Sequence, residues 1–90
     1  MRITNMTSSN GREVPNQLII QDGDTRVFQS YSSVIVRETG YGTSRKVELD
    51  RDKWDYSQTT GAYRNQFLSE TKAETQKKID SGEYILTNLN

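Results

Sequence analysis

Ninety residues with 12 basic and 12 acidic side chains and a hydrophobic fraction of 31% predict one small domain with a thin core and no global electrostatic steering. The chain has neither cysteine nor histidine, which excludes disulfides, thiol nucleophiles, Cys- or His-ligated metals and the commonest general base. No run approaches the length of a membrane span and no apolar leader opens the chain, so a cytoplasmic protein without a membrane role is expected.

Arg2 to Thr7 alternates weakly and reads as a first strand. Ser8-Ser9-Asn10-Gly11 is a turn cluster. Leu18, Ile19 and Ile20 anchor a second strand over 16–21, and Asp22-Gly23 predicts a hairpin into a third strand over 25–31. Ser32-Ser33 marks a bend or a bulge. Val34-Ile35-Val36, the most apolar triplet, suits a central strand covered on both faces. After the Gly40-Tyr41-Gly42 loop, 45–49 alternates with Val47 and Leu49 inward and Lys46, Glu48 and Asp50 outward.

The period changes after Trp54. Tyr63 and Phe67 share a helical stripe beside Leu68, and Ser57, Thr59 or Thr60 is placed to cap its start. A second, mostly polar helix is predicted over 69–81. Thr71 and Glu74 stand at capping-box spacing, and Gly82 is positioned as the residue after its end. Tyr84 to Leu89 alternates again and reads as a closing strand. Strands segregated from helices predict an α+β fold: an antiparallel four- to five-stranded meander sheet, two short helices packed on one face, and a C-terminal strand.

Four constellations bear on chemistry. Asp50, Asp52 and Asp55 have the only metal-like spacing, but Arg51 and Lys53 interleave them, so a solvated, self-neutralised turn is expected and no metal or cofactor. Ser69-x-x-Lys72 matches a penicillin-binding pattern whose partner motifs are absent, and a helix start explains it. The segment 58–82 has the form of a helix-turn-helix with Lys72, Lys77 and Lys78 as candidate nucleic-acid contacts. Glu70, Glu74 and Asp80 offset those lysines against a polyanionic duplex. The aromatics around Trp54 form either a stacking platform or core; with so few aliphatics, Trp54 and Phe67 are expected inside. Tyr41, Tyr56 and Tyr63 are candidate interface anchors. In Arg64-Asn65, Asn is a poor helix-interior residue, so Asn65 makes a specific hydrogen bond or the helix is irregular there. Arg64 pairs with Asp55 or reaches a partner.

Two segments carry a resemblance: Phe28-Gln29-Ser30-Tyr31-Ser32-Ser33-Val34-Ile35 and Trp54-Asp55-Tyr56-Ser57-Gln58-Thr59-Thr60-Gly61-Ala62-Tyr63-Arg64-Asn65. Together the chain, from about residue 16 onward, resembles a class of small uncharacterised proteins of phages and other mobile elements. The resemblance implies a phage accessory protein, a type that often blocks host defence by surface binding.

The leading expectation is therefore a non-enzymatic protein that binds and inhibits a host defence protein or ribonucleoprotein complex, of anti-CRISPR or anti-restriction type. Its partner-binding residues are Tyr41, Tyr56, Tyr63, Arg64 and Asn65. The alternatives are a nucleic-acid-binding accessory factor and a structural or regulatory homodimer whose association enlarges the thin core.

Overall fold

The computed structural model describes residues 1–90. Six strands form one sheet in the order β1-β2-β3-β4-β5-β6: β1 (Arg2–Thr7), β2 (Glu13–Asp22), β3 (Thr25–Ser30), β4 (Ser33–Thr39), β5 (Lys46–Asp50) and β6 (Tyr84–Thr87). Helices α1 (Gln58–Leu68) and α2 (Lys72–Asp80) lie in the chain between β5 and β6. The first five strands are an antiparallel meander, but β6 runs parallel to β5. The sheet is thus six-stranded and mixed, where an antiparallel meander of four to five strands with a C-terminal strand was expected. The reason is the two-helix crossover. A parallel neighbour needs a connection of a dozen or more residues, and α1 with α2 supplies it.

The turns follow local chemistry. Asp22 pairs with Thr25 across a two-residue loop that places Gly23 at φ 62°, a conformation glycine adopts without steric cost. Ser30 pairs with Ser33 in the same way across Tyr31-Ser32. The predicted bend is therefore a full hairpin, and Tyr31 holds the left-handed position at φ 56°. The bulge predicted near this point lies further on: Phe28 faces Val36 and Gln29 faces Val34, leaving Ile35 extra. An extra residue in the ladder breaks strict alternation. Consecutive Ile35 and Val36 consequently both enter the core, while Val34 stays half-buried. The triplet is central, but only one face of the sheet is covered by helices.

Ser57 is the α1 cap, its hydroxyl accepting from the Thr60 amide. Ser69 ends α1 in the left-handed conformation, and its amide donates to the Asn65 carbonyl. The second helix accordingly begins at Lys72 and not at Ser69. Its cap is Thr71, which forms the anticipated reciprocal box with Glu74.

The core joins Met6, Phe28, Ile35, Val36, Val47, Leu49, Phe67, Leu68 and Tyr84, with Ile19, Trp54, Tyr63, Ile79 and Leu86 packed against it. Phe67 stacks on Phe28 with ring centres 5.9 Å apart, docking α1 on the sheet. Strand β5 is more buried than its alternation predicted. Glu48 is covered by its ion pair with Arg37 at 3.0 Å. Asp50, only 2% exposed, accepts from the backbone amides of Asp52 and Leu89. Asp50 thus fastens the C-terminal residues across the sheet, and Asn90 completes the attachment by bonding both backbone groups of Val34. Among the three spaced aspartates, this one is a structural clamp and not part of a solvated turn.

Candidate functional site

The interior of α1 carries a guanidinium. Arg64 is 1% exposed, and a buried cation requires partners. Its Nη1 donates to the Trp54 carbonyl and stands 3.5 Å from the Asp55 carboxylate, while Nη2 donates to Asn65 Oδ1 at 2.9 Å. The guanidinium also lies against the Trp54 indole, 5.2 Å from its centre. Burial pulls the Arg64 pKa below its usual value, and the Asp55 charge offsets part of that effect. Of the two readings of Asn65, the specific hydrogen bond is the one observed, and of the two for Arg64, the structure shows the pair with Asp55.

Gly61, one turn before Arg64, faces the guanidinium: a Cβ there would stand in ordinary contact, 3.7 Å from both Nη1 and Nη2. Asp55 is shared with Lys72, whose ammonium lies 2.8 Å away. Lys72 opens α2, so this carboxylate ties the starts of the two helices together. Around the triad opens a pocket of about 510 Å³, lined by Asp55, Tyr56, Gly61, Arg64, Asn65 and Lys72 together with Ser57, Gln58 and Ala62. That volume falls within the range of ligand-sized clefts. The lining is mainly polar, and Arg64 forms its floor. Tyr56 stands beside it, 47% exposed, with the Lys53 ammonium 5.3 Å from its ring centre.

The fold thus brings together Tyr56, Arg64, Asn65 and Lys72 from the candidate residues. It does not bring the others to this place. Tyr63 is half-buried against the core. Tyr41 is 69% exposed in the loop before β5, in the single 3₁₀ turn region of the chain. Lys77 is exposed, whereas Lys78 is tied to Glu70 at 2.7 Å. With Lys72 on Asp55 and Lys78 on Glu70, two of the three lysines on α2 are already matched by carboxylates.

A second polar cluster lies under the helix turn. The Glu70 carboxylate accepts from Thr75 Oγ1 and Lys78 Nζ. Burial acts to raise its pKa, but these hydrogen bonds outweigh burial and hold it below the usual carboxylate range. Beside it, burial and the Glu70 charge push the Tyr84 phenol up. Tyr84 itself is a core residue, 2% exposed.

Sequence reasoning missed Gly61 and Lys72 as members of the Arg64 site. The signal for Gly61 is its place three residues before an arginine in a helix, where a missing side chain opens space on one face. Lys72 carried no signal, because its approach to Asp55 depends on the angle between the helices.

No curated protein and no solved structure matches the chain. A family model described as a family of unknown function (DUF8033) matches residues 1–83, and the chain belongs to that family.

Proposed function

We propose that this protein is a non-enzymatic binding protein that docks a protein partner on the Asp55–Tyr56–Lys72 face of its two-helix unit. The observation that supports this reading is the combination of an exposed tyrosine with a floor in which Arg64 and Lys72 share the single Asp55 carboxylate, leaving one net positive charge beside the ring. Tyrosine supplies a large amphipathic contact at low entropic cost. The Arg64–Asp55–Lys72 chain holds the surrounding backbone in place before any partner arrives, which lowers the ordering cost of association. Asn65, Gln58 and the remaining lone pairs of the exposed Asp55 carboxylate offer hydrogen-bonding groups for a polar rim.

The finer reading is a phage accessory protein that inhibits a host defence complex, either a restriction system or a CRISPR effector. It is supported by the resemblance of segments 28–35 and 54–65 to small phage and mobile-element proteins.

The experiment is affinity purification from host cells with three baits: the native chain, Tyr56→Ala and Lys72→Glu. A stoichiometric protein retained by the native chain and lost from both variants supports the reading. Recovery of no such protein, or equal recovery by all three baits, overturns it. Restoration of phage growth or plasmid uptake in a defended host tests the finer reading separately.

A further inference from the structure

The helices cover one face of the sheet, and the strand register defines what the other face presents. One row crosses all six strands: Ile3 beside Ile20, Ile20 beside Val27, Val27 beside Arg37, Arg37 beside Glu48, and Glu48 beside Ile85. The row begins and ends in exposed isoleucine, Ile3 at 58% and Ile85 at 43%. On its β2–β3 hairpin side runs a polar row, Asp22, Thr25, Thr39 and Lys46. On its other side Leu18, Gln29 and Val34 follow. The open face thus has an apolar half over β1 to β3 and a charged half over β4 and β5.

We propose that this face docks on the same face of a second copy of the chain, about a two-fold axis along the seam between β3 and β4. Such an axis exchanges β1 with β6, β2 with β5 and β3 with β4. Ile3 then meets Ile85 of the second copy, so the two exposed isoleucines cover each other. Asp22 meets Lys46 of the second copy. Asp22 has no ion pair within its own chain, and Lys46 has only Glu48 at 3.8 Å, the longest pair in the molecule. Val27 packs on the stem of Arg37. Ile20 meets Glu48, whose charge Arg37 already matches. Asp50, beneath the C-terminal residues, does not confront Leu18.

Size and charge favour a second copy over another occupant. The thirteen positions of these three rows, at roughly 4.8 Å between strands and about 6.8 Å along each strand, span on the order of 400 Å² in projection. Side-chain relief raises this toward the ~800 Å² per partner of a standard interface. Equal numbers of acidic and basic residues leave no net repulsion between copies. The face carries both halves of its own complement, which a two-fold axis alone brings into register.

Sedimentation across a wide concentration range, with far-UV circular dichroism as a folding check, tests this. The native chain should dimerise. Asp22→Lys and Lys46→Asp should each weaken the dimer on the order of tenfold, and the double swap should restore it. Ile3→Asp, at an exposed edge position, should weaken it at least as much. If Lys46→Asp does not fold, Lys46→Gln replaces it. A strict monomer, a dimer indifferent to the single changes, or a double swap that fails to rescue overturns the proposal.

Discussion

Arg64 is fastened to Trp54 at two points: its Nη1 donates to the Trp54 carbonyl at 2.5 Å, and its guanidinium lies 5.2 Å from the indole centre. The first contact fixes the backbone of the β5–α1 connection, and the second fixes the side chain that packs against the core. Through Asp55 the same guanidinium reaches Lys72 at the start of α2. One buried side chain therefore fastens the connection to the first helix, and an exposed ion pair extends the contact to the start of the second.

Arg64→Ala should be among the most damaging single changes. It leaves a cavity and unpairs a carbonyl and part of a carboxylate, for about 3–5 kcal/mol. In a domain of this size that lowers the melting temperature by more than 10 °C (roughly 4–8 °C per kcal/mol). Arg64→Lys should recover little, because an ammonium cannot bond Trp54, Asp55 and Asn65 from one plane. Thermal unfolding followed by Trp54 fluorescence measures both; a lysine variant as stable as the native chain would refute the multidentate role.

Gly61→Ala should stabilise the fold. A methyl at 3.7 Å from the Arg64 nitrogens is in ordinary contact, and alanine gains about 0.5–1 kcal/mol over glycine inside a helix. The same methyl covers part of the pocket floor. The variant should therefore melt higher while binding the partner less well, an opposition that separates a binding role for the pocket from a purely structural one. Parallel melting and pull-down measurements read the two effects.

Acid should unfold the protein through Asp50 and Glu70. Burial favours their protonation, but the hydrogen bonds they accept outweigh it and depress both folded pKa values. A depressed folded pKa means stability that is complete above the unfolded value and lost as pH falls through the folded one. The decline therefore begins below about pH 4.5, where free carboxylates start to protonate. Asp50→Asn should cost about 2 kcal/mol at neutral pH by weakening the clamp on Leu89, and should flatten the acid limb. Urea titrations of both proteins at pH 7 and at pH 3–4 give the comparison; an unchanged acid slope would assign the limb to other groups.

Much of the fold was legible because it rests on local signals. Asp22-Gly23, the Thr71–Glu74 box and the stripe of Tyr63 and Phe67 each specify structure within a few residues. What escaped prediction was set at a distance. The direction of β6 depends on how two helices cross, and the burial of Asp50 depends on Leu89 returning to it from the chain end. The bulge at Ile35 depends on register against β3. For the site, Asp55 was legible as a partner of Arg64 and Asn65 as a residue owed a hydrogen bond, but that the two meet at one guanidinium was not. Lys72 entered only through tertiary geometry.

Tyr56 and Tyr63 lie seven residues apart and should behave oppositely. Tyr63 packs against the core from the buried stripe of α1, so Tyr63→Ala should destabilise by about 2–3 kcal/mol. Its effect on partner binding should vanish once the comparison is made at a temperature where both proteins are folded. Tyr56 precedes the Ser57 cap and projects beside the pocket with Lys53 over its ring. Removing that ring should change stability by less than about 1 kcal/mol, since the cation–π contact is exposed. It should nonetheless lower partner affinity at least tenfold if Tyr56 is an anchor. A Tyr56→Phe variant then isolates the hydroxyl: retained affinity assigns the contact to the ring face, and lost affinity assigns it to a hydrogen bond at the rim. If Tyr56→Ala binds as the native chain does while the folded Tyr63→Ala does not, the interface runs over the part of α1 where Tyr63 remains accessible instead.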